Sequence, residues 1–230
     1  MTAAQRRMLI IGLVPLLVLV AGGSSLVVSQ IRGKLPYSYS STFAPGSQGV
    51  RIEADISTLV MVSVDDQVHV TLDGTYQRAQ PDVEVKTVGS QLAVRVNCPD
   101  RGCAVDLTVE VPASAAVQAK TAGNSITVVG VDSPLKVDVS DGSIDMSRIR
   151  SPQVSVDARR GSVSMLFDDP PTNVSATASE GSIAVQLPMT TTYSIDAVSA
   201  QGTADVQVPN DSAATHHLFL RSSYGSITVH

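Results

Sequence analysis

The sequence contains no tryptophan, and aromatic residues of any kind make up only 3% of its 230 residues. Charged residues are also scarce, at 16%. So few charges argue against a coiled coil and against a charge-rich disordered chain. The scarcity of rings that stack on bases, together with a formal net charge of −5, argues against a nucleic-acid partner.

Acidic residues are missing from the start of the chain, where the first is Glu53. The basic residues of this region are Arg6, Arg7, Arg32 and Lys34. Beyond residue 34, 12 Lys and Arg stand against 21 Asp and Glu. The body of the protein is therefore acidic, without the basic stripe that a nucleic-acid surface requires.

An uncharged, mostly apolar stretch runs from Met8 to Ile31. As a helix it would rise about 36 Å, which is enough to span a bilayer. We predict that residues 1–34 form a short cytoplasmic N-terminus and a single transmembrane anchor, with the remaining chain outside the cytoplasm. A signal peptide cleaved after Gly23, which would leave a secreted protein, is the alternative. Residues 35–49, rich in Ser, Pro and Gly, are predicted to form an extended tether.

Only two cysteines are present, Cys98 and Cys103, and they bracket a turn-forming Pro99-Asp100-Arg101-Gly102 segment. In an exported protein, two cysteines across a tight turn most often form a disulfide. Half of a zinc site completed by His216 and His217 is the alternative. We predict the disulfide.

Hydrophobic residues supply 43% of the chain, and valine is prominent among them. Branched side chains of this kind favour strands. Between residues 50 and 116 we predict irregular strands separated by turn residues. The predicted strands are Val50–Ala54, Leu59–Val64, Val68–Leu72, Val83–Val88, Leu92–Val96 and Val105–Val111.

Residues 117–230 contain six copies of one repeat, each marked by a Ser or Thr that recurs after 18 to 23 residues. In every copy the residues eight and six before this hydroxyl, and one and three after it, are small or aliphatic. Side chains two apart lie on one face of a strand, so each copy predicts two strands with apolar faces joined at a corner. The corner residues are Asn124, Gly142, Gly161, Gly181, Gly202 and Gly225. Because Gly and Asn tolerate positive φ, we predict left-handed corners.

One copy cannot bury its apolar face alone, but stacked copies can. We therefore predict an all-β, β-solenoid-like stack over residues 50–230, in which Ile144, Val163 and Ile183 share one buried column. A meander of hairpins is the alternative. The sixth copy, which stops at Val229 and His230, is expected to form an open end that meets another copy of the chain or a separate envelope protein.

The motif LTVEVP at Leu107–Pro112 is followed by GNSITV, DGSIDM, RGSVSM, EGSIAV and YGSITV at the corners. This pattern resembles the DUF4097 putative-adhesin family of bacterial envelope proteins, over about Val50 to His230. The resemblance implies a β-solenoid-like fold and an adhesin-like role. It supplies no catalytic residues.

Several polar clusters are candidates for sites. Adjacent acids at 65–66 and at 168–169 are expected to be solvated turns. Asp138 and Asp157 share an outward column and form a candidate cation site. Arginines at 148, 150, 159 and 160 form a candidate anion-binding patch. None of these patterns predicts a catalytic, cofactor-binding or metal residue, so we predict that the protein is not an enzyme.

Together these features predict a membrane-anchored, extracytoplasmic, non-enzymatic binding module of the bacterial cell envelope, with an unidentified envelope or surface ligand. Two alternatives are an accessory or sensory ectodomain in envelope-stress signalling and a self-assembling surface scaffold with end-to-end contacts between copies.

Overall fold

Alternating, valine-rich segments form strands throughout the computed structural model, which describes residues 33–99 and 101–230. Nineteen strands build a large sheet of ten strands and a small sheet of nine. The strands are β1 (Leu35–Phe43), β2 (Val50–Ala54), β3 (Thr58–Val62), β4 (Val68–Tyr76), β5 (Asp82–Val88), β6 (Gln91–Asn97), β7 (Ala104–Val111), β8 (Val117–Thr121), β9 (Ile126–Val129), β10 (Leu135–Asp141), β11 (Ile144–Ile149), β12 (Gln153–Arg160), β13 (Val163–Phe167), β14 (Asn173–Glu180), β15 (Ile183–Gln186), β16 (Ser194–Gln201), β17 (Ala204–Val206), β18 (His217–Tyr224) and β19 (Ile227–Val229).

Apart from β1, β4 and β5, successive strands alternate between the sheets, so that a strand of the small sheet, a corner and a strand of the large sheet form one unit, here called a rung. Neighbouring rungs pair in parallel and in register, as in the pairing of Val137 with Val156 and of Ile144 with Val163. Successive hairpins would pair antiparallel, so the repeated region is not a meander. In spatial order the rungs are β6–β7, β2–β3, β8–β9, β10–β11, β12–β13, β14–β15, β18–β19 and β16–β17.

The core lies between the two sheets and is built from the inward columns of the rungs. Ile144, Val163 and Ile183 pair in sequence across the large sheet, and each is 1% exposed. The predicted buried column is therefore confirmed. Strict alternation along the strands places a polar or small residue on the outer face between each pair of core residues.

The rungs do not follow chain order at the far end of the stack. The sixth copy, β18–β19, lies between β14–β15 and the fifth copy, β16–β17. The prediction that the sixth copy forms the end is therefore wrong. The end rung has a neighbour on one side only, so part of its apolar face stays exposed. Less core surface is exposed when the copy with the smaller apolar side chains forms this rung. The fifth copy offers Ile195, Ala197, Ala204 and Val206. The sixth offers Leu218, Leu220, Ile227 and Val229, all buried.

The segment predicted to be a tether is instead part of the large sheet over most of its length. β1 pairs antiparallel with β4 as an edge strand. Tyr37, Tyr39 and Phe43 alternate with exposed residues and pack against the core. Serine-rich composition favours a linker, but the period-two placement of the rings is the pattern of a half-buried strand.

Antiparallel strands cover the other end of the stack: β4 lies against β7 and β5 lies against β6. The corner of the adjacent rung, β6–β7, is closed by a disulfide between Cys98 and Cys103, whose Cα atoms are 5.8 Å apart. The predicted disulfide is thus present, and it removes both thiolates that a zinc site would need.

Across residues 33–99 and 101–230 the chain has no helix with the length and apolar character that crossing a membrane requires. The predicted anchor lies outside these residues and stays a prediction.

Candidate functional site: a groove on the small sheet

A groove of about 720 Å³ crosses six neighbouring strands on the outer face of the small sheet. We call it the outer groove. It runs perpendicular to the strands, from β8 to β16. Its outward-facing lining residues are Gln118, Lys136, Gln153, Ser155, Asn173, Ser175, Ser194, Asp196, His217 and Phe219.

The repeat explains this lining. The outward residues lie nine and seven positions before the corner hydroxyl in each copy, so parallel, in-register pairing stacks them into two columns. In the second column the small side chains of Ser155 and Ser175 lie between Lys136 and Phe219. The groove is therefore deeper where the two serines meet, and longer side chains bound it on either side.

Free hydrogen-bonding groups lie at the β8 end and in the middle of the groove. The side-chain amides of Gln118, Gln153 and Asn173 are exposed and make no hydrogen bond within the described part of the chain. Each amide offers a carbonyl acceptor and two N–H donors. This arrangement can recognise a ligand that has many polar groups of both kinds.

An aromatic ring closes the groove on the β16 side. Phe219 is 44% exposed, and the guanidinium carbon of Arg221 lies 3.7 Å from its ring centroid. Arg221 also donates to the carboxylate of Asp196 at 2.5 Å and to its backbone carbonyl at 2.8 Å. The hydrogen bond to the carboxylate lowers the pKa of Asp196. The pair therefore fixes the ring and neutralises the charge beside it.

The predicted corner residues lie in one column, and close stacking explains their identity. Positive φ occurs at four of them, Gly142, Gly161, Gly181 and Gly225. At Gly161, φ is +128° and a Cβ atom would lie 2.0 Å from the Gly142 carbonyl oxygen. The prediction of left-handed corners is incomplete, because Asn124 and Gly202 do not have positive φ. What the five glycines of the column share is a backbone contact too close for a side chain.

The corner hydroxyls act structurally. The backbone N–H of Ser143 donates to the Ser125 hydroxyl at 3.2 Å, and that of Ser226 donates to the Ser182 hydroxyl at 3.2 Å. Asn124 donates from its side chain to the carbonyl of Asp55 at 2.8 Å, which joins the first copy to the β2–β3 rung where no glycine corner occurs.

The two carboxylates of the candidate cation site lie side by side, but each already has a polar partner within the protein. Asp138 and Asp157 are direct neighbours in register. Lys136 lies 3.9 Å from the Asp138 carboxylate, and Thr177 donates to Asp157 at 2.8 Å. Among the described residues, no three His, Cys, Asp or Glu gather as a ligand set.

The candidate anion patch is divided. Arg148 and Arg150 lie where β11 leads into β12, whereas Arg159 and Arg160 lie at the far end of β12. Arg150 bonds to Asp132 at 2.7 Å, and Arg160 bonds to Asp141. The four arginines therefore do not form one surface.

The two adjacent histidines face opposite sides of their strand. Nδ1 of His216 lies 2.8 Å from the Pro171 carbonyl oxygen, and its ring meets Tyr193 edge-on at 5.8 Å between centroids. His217 lines the outer groove. They do not act as a joint ligand pair.

A chain of hydrogen bonds on the large sheet joins β1 to β4. Nε2 of His69 donates to Asp65 at 2.9 Å, since a carboxylate only accepts, and its Nδ1 lies 3.0 Å from the Thr42 hydroxyl. Ser63 also donates to Asp65, at 2.8 Å. The hydrogen bond from His69 is the main cause of the lowered pKa of Asp65. This chain connects an edge strand to a turn.

Sequence reasoning missed the outer groove. The signal was present in the repeat, because the column seven residues before the corner hydroxyl contains one aromatic residue, Phe219, among polar ones. Its position beside Ser175 depends on the insertion of the sixth copy, which the repeat does not indicate.

Comparison with known proteins concerns the fold. No family model and no curated protein matches the chain, so membership of the DUF4097 family stays a prediction. A structure named as a putative adhesin from Bacteroides fragilis NCTC 9343 is similar, with a TM-score of 0.51 and 12% identity over 84% of this chain and 97% of that one. A putative cell adhesion protein from Clostridium sporogenes ATCC 15579 gives a TM-score of 0.49 and 10% identity over 85% of this chain and 99% of that one.

Proposed function

We propose that this protein is a non-enzymatic, adhesin-like binding module of the bacterial cell envelope, built as a β-solenoid-like stack and exported behind an N-terminal membrane anchor. Its binding surface is the outer groove. The observation that carries the proposal is a groove of about 720 Å³ lined by free amides and hydroxyls across six strands. A volume of this size is in the usual range of ligand sites.

The geometry of the groove favours an extended ligand. Register positions recur along it at the spacing of neighbouring strands, about 4.8 Å, and chemically similar side chains adjoin where Gln153 meets Asn173 and Ser155 meets Ser175. A polymer that repeats along its length can use several of these positions at once. Since the residues stand on paired strands, they are held in position before the ligand arrives, which reduces the entropic cost of binding.

Binding is better supported than catalysis at this surface. The ionisable side chains of the groove are Lys136, His217 and Asp196. Asp196 is held by Arg221, and Lys136 lies 3.9 Å from Asp138. General acid–base catalysis needs groups with tuned proton affinity that converge on one point, whereas β12 and β14 separate Lys136 from the other two.

The test is binding of the purified full-length protein to isolated envelope fractions. A double variant, Ser155→Arg with Ser175→Arg, fills the part of the groove above the two serines. Ser164→Arg, an exposed position on the large sheet, is the matched control. We expect the double variant to lose at least tenfold in binding while the control binds normally. Equal binding by both folded variants would exclude the groove as the binding surface.

A further inference from the structure

We infer that the outer groove binds a linear oligosaccharide of uncharged sugars. This inference rests on the proposed function, because it names the ligand of the same surface. It starts from the groups that the groove presents. A sugar hydroxyl both donates and accepts, and the amides of Gln118, Gln153 and Asn173 do the same.

Phe219 supplies the apolar part of such a site. The C–H face of a pyranose packs on an aromatic ring, which adds contact area without a polar group to desolvate. The ring is 44% exposed, and Arg221, tied to Asp196, covers one of its faces and restricts its movement, so a sugar would pack on the other face. A ring held in this way is suited to receive a sugar at one end of the groove.

The charge of the groove excludes strongly anionic polymers as the main ligand. Phosphate and sulfate recognition relies on free Arg and Lys, which form short charge-assisted bonds. Here Arg221 is committed to Asp196 and Lys136 lies beside Asp138. The groove is close to neutral, which fits an uncharged chain.

A peptide fits the surface less well. Extended peptides usually bind to sheets by adding a strand at an edge, where backbone N–H and C=O groups are unpaired. The outer groove lies on a sheet face whose strands are already paired on both sides from β8 to β18. Recognition there depends on side chains alone.

The spacing of the rungs also agrees with a sugar chain. Six strands span about 24 Å at ~4.8 Å per step, and the advance per sugar of an extended pyranose chain is close to that step. An oligosaccharide about five sugars long would therefore meet one register position of the groove at each successive sugar.

The experiment does not require the sugar to be identified beforehand. Envelope fractions are treated with periodate, which cleaves vicinal diols, or with a protease, and binding of the full-length protein is measured at low and high salt. We expect periodate to reduce binding at least tenfold, and protease and salt to have little effect. Phe219→Ala should weaken binding at least tenfold, while Phe219→Tyr should retain it.

The possible outcomes separate the two proposals. Loss of binding after protease, but not after periodate, would overturn the sugar ligand in favour of a protein. A steep loss with salt would overturn it in favour of an anionic polymer. In both cases the block by Ser155→Arg with Ser175→Arg would still support the groove as the binding surface. If that double variant bound normally, both proposals would fail.

Discussion

The two ends of the stack are completed in different ways. At one end β4 and β5 pair antiparallel with the β6–β7 rung, β1 pairs antiparallel with β4, and Tyr37, Tyr39 and Phe43 pack against the core. At the other end the β16–β17 rung has no strand beyond it among the described residues. Several of its core-facing side chains, including Ile195 and Val206, remain half-buried.

A short loop partly replaces the missing neighbour: the backbone of Pro209 and Asp211 bonds to that of Tyr193, and the Asn210 side chain extends this edge by one residue. Ser194 directs its backbone N–H to His216, on the side of β18, so Ile195 directs its backbone groups to the open edge. There the Asn210 amide accepts from the Ile195 N–H at 3.0 Å and donates to its carbonyl at 3.2 Å. A strand pairs with a whole edge, whereas this loop and its amide pair with only part of it, so we expect the β16–β17 end to be the weaker.

The largest effect should separate an interior position from the end position of the same column. Val185 and Val206 both pair with Val229, one on each side. Val185→Asp buries an unpaired charge and should lower the free energy of unfolding by roughly 4 kcal/mol. Val206→Asp leaves the charge in contact with solvent and should cost about 1 kcal/mol or less. Urea unfolding of both variants measures the difference, and equal midpoints would contradict the assigned end.

A second comparison concerns the corners. At Gly161 a side chain is opposed both by the positive φ and by the Gly142 carbonyl oxygen, which would lie 2.0 Å from an added Cβ atom. Rungs on both sides prevent relaxation, so Gly161→Ala should cost roughly 3 kcal/mol. Gly202 faces a similar contact with Gly225, at 2.4 Å, but its rung is free to move outward. Thermal unfolding should therefore show a clearly smaller loss for Gly202→Ala; a loss as large would mean that the end rung is held as rigidly as the interior.

The next prediction concerns the disulfide, which lies at the end of the stack that β4 and β5 cover. The loop that the bond closes is short, with a sequence separation of 5. The bond therefore removes little conformational entropy from the unfolded chain, and it should contribute about 2 kcal/mol to the free energy of unfolding. We expect the Cys98→Ser, Cys103→Ser double variant to stay folded and to unfold at correspondingly lower urea concentration. Reduction of the wild type should reproduce the same shift, and unfolding of the whole chain would show that the corner depends on the bond entirely.

The smallest effect should come from acid. Hydrogen bonds from His69 and Ser63 lower the pKa of Asp65 below that of a free aspartate, which is about 3.9. Its contribution is therefore present above that pH and is lost as the pH falls through the lowered pKa. Between neutral pH and about pH 3, wild type should lose slightly more stability than Asp65→Asn. Asp168→Asn, in the loop between β13 and β14, is the control and should follow wild type.

The interior of the stack could be predicted from the sequence because it is governed by a local rule. Alternation and a constant distance from corner to strand place Ile144, Val163 and Ile183 in one column whatever lies at the ends. The disulfide follows in the same way from two cysteines across a turn. Both depend on residues close together in the sequence.

The ends and the site depend on choices between similar surfaces. The fifth and sixth copies both offer an apolar face to β14–β15. Their side chains differ in size, but the sequence alone does not show which of the two copies pairs with β14–β15. The outer groove inherits this choice, because Phe219 adjoins Ser175 and Asp196 only when β18 lies between β14 and β16. Composition also misassigns β1, because its serines indicate a linker, whereas the spacing of its three aromatic rings is that of a half-buried strand.

The inserted sixth copy has a consequence for biosynthesis. β16 and β17 are synthesised before β18 and β19, and the ten residues 207–216 then connect β17 to β18. While β18 and β19 are still being synthesised, the exposed side of β14–β15 is available to the fifth copy, which carries the same strand pattern. The rungs at this end therefore cannot join the stack in the order of their synthesis. The fifth copy either stays unpaired or leaves a temporary position on β14–β15 before Ile227–Val229 can pair there. We expect the last stage of folding to be slow and to occur after translation, as a competition between two copies for one surface.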